Sequence, residues 1–183
     1  MKPGPGTGSA VMMSHISEMA PPKPFGGHSP DRERPLGGYA VLMGAFTALA
    51  AAFGGWFRRT GRELPESISP RDLALITVAS HKTSRLITRD RVTSAVRAPF
   101  TEFQSDAGPG EVNERARGHG LRRAVGELLV CPYCLGMWVS AAMTASLLVF
   151  PRFTRWFATV LVSFFGSEVL HIAYARAEKR ASG

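Results

Sequence analysis

The chain has 183 residues, 45% of them hydrophobic, and a formal net charge of +8. Its mean hydropathy is near zero, but this average combines long apolar blocks with Arg-rich blocks, a pattern that excludes an ordinary soluble domain. The basic charge does not indicate nucleic-acid binding, because the Arg residues are not interleaved with aromatic residues on a folded segment. No glycine-rich loop of the Walker or dinucleotide type occurs, so no nucleotide site is predicted.

The first apolar block follows a polar N-terminal segment. Residues 1–37 are rich in Pro and Gly and are predicted to form a disordered tail. Residues 38–57 carry no charge. At roughly 1.5 Å per residue, a helix of this length crosses a hydrocarbon core of about 30 Å. We therefore predict a transmembrane helix over 38–57.

The segment 72–87 is ambiguous. It begins apolar but reaches His81, Lys82 and Arg85 before it is long enough to span a bilayer. Charged groups in lipid are costly unless they face the interior of a helix bundle or reach the headgroups. The segment is either a short fourth span or a re-entrant, interfacial helix.

Two further spans are predicted over residues 131–150 and 157–175, joined by the short link 151–156. So short a link forces two neighbouring helices into an antiparallel hairpin. The fold class predicted is therefore an all-α membrane protein with three or four transmembrane helices and a C-terminal antiparallel helical hairpin. Residues 38–175 form its membrane domain, and residues 176–183 form a C-terminal tail.

Positive charge predicts the orientation. Either span count places most of the 22 Lys and Arg residues on one side, together with the basic loop 88–126 and the C-terminus. Positive loops are retained in the cytoplasm. We expect a multi-pass protein of the cell membrane, and we favour four spans because they also keep the N-terminal tail inside. The same charges would attract anionic lipid headgroups.

Cys131 and Cys134 form a CxxC pair at the start of the third predicted span. Proline is favoured at the first position of a helix, so the helix should begin at Pro132 with Cys131 as its N-cap. A thiol at a helix N-terminus has a lowered pKa. The motif is similar to the active-site motif of glutaredoxins, over these four residues only. A permanent disulfide is not expected in a reducing cytoplasm, so free thiols, a redox couple and metal ligands remain as alternatives.

A turn centred near Phe153 would set His171 beside Cys134 and Glu168 near Trp138. Ionisable residues within a membrane domain are candidates for function, because each is costly to hold there. The predicted polar cluster at the inner mouth of the bundle comprises His81, Lys82, Arg85, Asp90, Glu127, Glu168 and His171. A zinc ion could be held by Cys131, Cys134, His81 and His171, with Glu168 as a further ligand.

Several short motifs together resemble one bacterial family. They are residues 81–87 leading to Asp90, residues 97–100, Gly126-Glu127, and residues 131–138 with the Cys pair. This pattern is similar to the family catalogued as domain of unknown function 1360, whose members are small integral membrane proteins and include a sporulation-associated one. The resemblance implies a multi-span membrane protein and brings no established activity.

The sequence thus supports two hypotheses of different class. In the first, the protein is a non-enzymatic membrane component that binds a protein partner or anionic lipid through its basic cytoplasmic face. In the alternative, it is a membrane thiol oxidoreductase or metal-binding protein whose catalytic residues are Cys131 and Cys134. Transport is disfavoured unless the chain forms a homo-oligomer, because so few spans rarely enclose a path.

Overall fold

The structure is a computed structural model and describes residues 34–182. Six helices and one two-stranded antiparallel sheet make up this part of the chain. In chain order they are α1 (Leu36–Arg59), α2 (Pro70–Arg89), α3 (Ser94–Arg97), β1 (Thr101–Gly108), β2 (Glu111–Ala116), α4 (Gly120–Val130), α5 (Pro132–Val149) and α6 (Pro151–Ala181). The chain is mostly helical as predicted, but the sheet shows that an all-α fold was wrong.

Three of the helices, α1, α5 and α6, are long and apolar enough to cross a membrane. The N-terminus of α1 falls at Leu36, inside the predicted tail, whose residues 1–33 lie outside the described residues. Most of the α1 surface is exposed, and only Gly38 and Phe57 are buried. An apolar helix with so little of its surface covered is typical of a membrane setting.

Helix α2 is defined by strong end signals. The Ser69 hydroxyl accepts a hydrogen bond from the Asp72 backbone N–H, and Pro70 occupies the first turn, where its missing N–H costs nothing. At the other end, Asp90 is extended and stops the helix. With 20 residues, α2 is about 30 Å long, similar to the apolar helices, although its composition is polar.

Helix α2 packs against both α5 and α6, and the core lies between these three helices. The core side chains form one cluster of small and aliphatic residues. They are Ile76, Ala79, Leu135, Val139, Met143, Leu147, Ala158 and Leu161. Ile76 and Ala79 of α2 therefore face its neighbours, whereas Leu73 in its first turn is exposed.

Side-chain contacts fix the direction of each helix. Helices α2 and α6 run the same way, because Asp72 pairs with Arg155 and Lys82 pairs with Glu168. Helix α5 runs the opposite way to α6, since one short turn joins them. All four long helices thus traverse the molecule between two ends. We call these the hairpin end, where the sheet and α4 lie, and the turn end, where residues 60–69 and the α5–α6 connection lie.

The α5–α6 turn differs from the prediction. The break is at Phe150, followed at once by Pro151 in the first turn of α6, and Ser146 hydrogen-bonds Thr154 across it at 2.7 Å. The predicted link 151–156 is therefore helical, and α6 continues through the predicted tail to Ala181. The predicted turn centre at Phe153 was wrong because Pro151 favours a helix start. Arg155, in the second turn of α6, is held by Asp72.

The predicted basic loop 88–126 is an ordered module at the hairpin end. It holds α3, the β1–β2 hairpin and most of α4. The hairpin turn contains Gly108 and Gly110, both with positive φ, on either side of Pro109. Glycine adopts this backbone conformation without strain, so the Gly-Pro-Gly sequence marks a turn between two strands. The prediction of a loop over 88–126 overlooked this turn.

Candidate functional site at the hairpin end

Lys82 is the most buried charged side chain of α2 at this end, with 4% of its surface exposed. Its ammonium group pairs with the Glu168 carboxylate of α6 and lies 4.2 Å from the centre of the Phe164 ring. A cation placed over an aromatic face is stabilised by the negative charge of that face. The prediction that Glu168 lies near Trp138 assumed a turn centred at Phe153. The break at Phe150 instead sets Glu168 level with the start of α5, and Trp138 packs edge-to-face on Phe46 of α1.

A cleft of about 810 Å³ lies between α2, the hairpin turn and the C-terminal half of α6. Four of the residues predicted from the sequence line it together. They are His81, Arg85, Glu168 and His171. Helix α6 also contributes apolar residues to the lining, namely Phe165, Val169 and Ile172. The cleft therefore combines ionisable groups with an apolar surface, and Lys82 reaches it through its pair with Glu168.

Arg85 connects α2 to the hairpin. Its guanidinium donates two hydrogen bonds to the Glu111 carboxylate, at 2.7 and 2.8 Å, and Arg89 donates one to Asn113. The backbone of Glu111 also forms a β-bridge with Asp90. Two-point pairing of arginine with a carboxylate restricts both distance and orientation. Asp90 and Arg85 thus fix the hairpin against the end of α2.

Arg97 and Glu114 form a fully buried ion pair beneath the hairpin, with side-chain exposures of 0% and 4%. Arg97 also donates hydrogen bonds to the backbone carbonyls of Ile87 and Asp90, at 2.6 and 3.0 Å, which closes the C-terminus of α2. Burial alone would raise the pKa of Glu114. The hydrogen bonds from Arg97, Ser94 and Thr101 outweigh burial and lower the pKa of Glu114 to about 2.

Glu127 lies apart from the cleft. Its carboxylate accepts hydrogen bonds from Tyr39 of α1 and from Arg123 of α4. The two helices approach closely here, since a Cβ on Gly38 would lie 2.6 Å from that of Ala124. The predicted polar cluster is thus divided, with Glu127 fastening α4 to α1 and the other residues lying at or beside the cleft.

Cys131 and Cys134 are joined by a disulfide, with their Cα atoms 5.3 Å apart. As predicted, α5 begins at Pro132 with Cys131 as its N-cap, and the Cys131 Sγ accepts a hydrogen bond from the Cys134 N–H at 3.2 Å. Of the alternatives considered from the sequence, free thiols are not what the structure shows, and the disulfide is the oxidised form of a redox couple. The N-cap geometry permits this bond, because it brings the two residues within the Cα separation that a disulfide requires.

The structure does not assemble the zinc ligand set considered from the sequence. Within residues 34–182, no three His, Cys, Asp or Glu side chains are grouped so that they could hold a metal ion. His81 instead packs edge-to-face on Phe165, and the cleft that contains His81 and His171 is not lined by the Cys pair.

The arginines at the hairpin end differ in their partners. Five are paired with carboxylates, as Arg85–Glu111, Arg91–Asp106, Arg97–Glu114, Arg115–Glu102 and Arg123–Glu127. Arg117 and Arg122 form no ion pair with any described residue, and both donate to one acceptor, the Pro99 carbonyl oxygen. A cavity of about 260 Å³, lined by Arg34, His119 and Arg123, lies at the N-terminus of α4. We call Arg34, Arg117, Arg122 and Arg123 the basic patch.

Sequence reasoning missed several residues that organise this end. Glu111 and Glu114 were taken as parts of a loop, and Asp72, Tyr39 and Arg155 were not singled out. Each is a partner in a contact between residues distant in the chain, such as Tyr39 with Glu127 or Asp72 with Arg155. The one local signal available was the Gly-Pro-Gly turn, which predicts a hairpin around Glu111 and Glu114.

Comparison with known proteins identifies the family. The family described as protein of unknown function (DUF1360) matches residues 75–174, which include most of α2, the hairpin, α4, α5 and most of α6. The chain belongs to this family. The Sporulation protein YjcA of Bacillus subtilis (strain 168) is 27% identical over 92 residues, which cover 49% of this chain and 78% of that protein. No solved structure matches the chain.

Proposed function

We propose that this member of the DUF1360 family is an integral membrane protein in which α2 crosses the bilayer together with α1, α5 and α6. The length of α2, its place between α5 and α6, and its direction support this. The two buried charged residues of α2 are compatible with a membrane setting because each is paired with a residue of α6, Lys82 with Glu168 and Asp72 with Arg155. Intramembrane charges are tolerated when they face a bundle and are paired. The exposed apolar side chains of α1 would contact lipid.

The hairpin end would face the cytoplasm. It carries the arginine-rich module, and the last turns of α6 add Arg176, Lys179 and Arg180 at the same end. The turn end has only a short connection between α1 and α2 and a tight turn between α5 and α6. Positive residues next to membrane spans are retained on the cytoplasmic side, which supports this orientation.

At this face the protein would act as a non-enzymatic membrane component that binds anionic lipid headgroups through the basic patch. One observation carries the proposal: Arg117 and Arg122 converge on the Pro99 carbonyl oxygen without a carboxylate between them. Two cations held close together repel, and a shared anion relieves that repulsion. Guanidinium groups bind phosphate oxygens through paired hydrogen bonds.

The depth of the patch also suits a headgroup. Arg34 lies two residues before the start of α1, and α4, which carries Arg122 and Arg123, packs against the first turns of α1. The patch therefore lies where an apolar helix would enter the bilayer. A basic residue at this level contributes about 1 kcal/mol of attraction to an anionic surface.

The test uses the full-length protein in nanodiscs of phosphatidylcholine alone and of phosphatidylcholine mixed with phosphatidylglycerol. Native mass spectrometry counts the phosphatidylglycerol molecules retained, and thermal unfolding gives the gain in midpoint. We expect the wild type to retain the anionic lipid and to gain stability from it. The variant Arg117→Gln/Arg122→Gln should lose both effects.

The matched control is Arg91→Gln/Arg115→Gln, which removes the same charge from the same module. Both of these arginines are paired with carboxylates in the hairpin. Equal losses in the two variants would mean that only bulk charge matters and would overturn the assignment to the patch. Full retention by the Arg117→Gln/Arg122→Gln variant would also overturn it.

A further inference from the structure

The Cys131–Cys134 disulfide has features of an exchangeable bond. It joins two residues of the same helix start and links no separate elements, since the N-cap and Pro132 already set the local backbone. Cys134 is exposed, and Tyr133 beside it has 91% of its surface exposed. A disulfide buried between elements would be inaccessible, whereas this one can be approached from outside the bundle.

The two sulfur atoms are not equivalent. Cys131 is half-buried at the N-cap, and its Sγ accepts the Cys134 backbone N–H at 3.2 Å. A thiolate in this position is stabilised by that donor and by the positive end of the α5 dipole. In thiol–disulfide exchange, a better stabilised thiolate leaves faster. The geometry thus favours attack at Cys134 and departure of Cys131.

We propose that Cys131–Cys134 is a dithiol–disulfide exchange site that oxidises a dithiol at the hairpin end of the bundle. A thiolate of the dithiol attacks the Cys134 sulfur, the S–S bond breaks, and Cys131 leaves as a thiolate. The second thiolate of the dithiol then attacks the dithiol sulfur that is bonded to Cys134, and Cys134 leaves as a thiolate. The dithiol becomes a disulfide, and the two electrons and two protons that it loses leave Cys131 and Cys134 as thiols. This proposal does not depend on lipid binding.

The first experiment locates the attacked sulfur. The oxidised full-length protein in detergent is mixed with reduced glutathione, a monothiol that cannot complete the second step, and the reaction is stopped early with acid. Peptide mass spectrometry then identifies the modified cysteine. We expect the glutathione adduct on Cys134 in excess of that on Cys131. An excess on Cys131, or no adduct in the folded protein, would overturn the proposal.

A second measurement separates exchange from a structural role. The variant Cys131→Ser/Cys134→Ser should keep the unfolding midpoint of the wild type, because the disulfide joins no separate elements. Dithiothreitol should reduce the wild-type protein fully while its midpoint stays unchanged. A large loss of midpoint in either experiment would show that the bond supports the fold, and would overturn the proposal.

Discussion

Lys82 on α2 and Glu168 on α6 form an ion pair between two helices that run in the same direction. A second pair, Asp72 with Arg155, joins the same helices near the turn end. Two charged contacts, one in each half of α2, fix its position along α6. This explains how a polar helix lies at the centre of an otherwise apolar bundle.

Removing one partner of the Lys82–Glu168 pair should be more harmful than removing both. Lys82 is buried but the Glu168 side chain is 41% exposed. The charge that Lys82→Met leaves without its partner is therefore partly screened by water, and we expect a loss of about 1–2 kcal/mol in the free energy of unfolding. Lys82→Met/Glu168→Met should recover most of that loss. Equilibrium unfolding in detergent measures both variants.

The exposed Arg91–Asp106 pair provides the control for this comparison, with side-chain exposures of 60% and 69%. Arg91→Met should change the unfolding free energy by less than about 1 kcal/mol, because water screens an exposed pair. If Lys82→Met is equally mild, the ion pair does not determine the position of α2.

Acid should loosen the hairpin module through Glu114. Its pKa is lowered to about 2 in the folded protein, from 4.5 in the absence of its partners. The folded state therefore binds this proton less readily, and the associated stability is present above pH 4.5 and is lost as the pH falls from 4.5 towards 2. The protection factors of the β1 and β2 amides, which correct for the slower intrinsic exchange in acid, should fall across this range in the wild type.

Glu114→Gln cannot titrate and supplies the comparison. It should exchange faster than the wild type at neutral pH, because Arg97 loses its counter-charge, and the difference between the two proteins should narrow in acid. A constant difference across that pH range would mean that another carboxylate controls the module.

Gly126 should not tolerate a side chain. A Cβ at this position in α4 would lie 2.5 Å from the Phe100 carbonyl oxygen and 2.9 Å from the Ala116 Cβ. Backbone must move to admit it, so we expect Gly126→Ala to lower the unfolding free energy by about 1–3 kcal/mol. Gly136→Ala is the matched helical control, since a Cβ at this position would meet no atom within 4 Å apart from its chain neighbours and the backbone of its own helix. Equal stability of the two variants would mean that α4 does not pack tightly on the hairpin.

The sequence alone identified the features with local signals. Apolar length predicted α1, α5 and α6, and the Cys-Pro pattern predicted the start of α5 at Pro132. Four of the seven predicted polar residues meet in the cleft, because they lie at helical spacing on segments that were predicted to share the inner mouth of the bundle. The family resemblance, carried by the same motifs, is confirmed.

The rest depends on contacts between distant residues. The hairpin was missed because polar strands such as β2 show no regular alternation of apolar residues, and the partners of Arg85 and Arg97 lie across that hairpin. The predicted depth of Glu168 relative to α5 was wrong. The turn lies three residues earlier than predicted, and this displaces every residue of α6 relative to the α5 residue predicted to face it. Composition could not decide whether α2 crosses the membrane. Its charged residues are tolerated in a bilayer only if they are paired, and the pairs are formed with residues distant in the chain.

Crossing by α2 is the central claim, and labelling of single cysteines tests it most directly. In a Cys131→Ser/Cys134→Ser background, Ser67→Cys marks the α1–α2 connection and Ser105→Cys marks the hairpin. Intact cells are treated with a membrane-impermeant maleimide, and lysed cells show the total reactivity. The account predicts labelling of the Ser67→Cys variant in intact cells and of the Ser105→Cys variant only after lysis. The same pattern for both positions would place them on one side of the membrane and would contradict the crossing of α2.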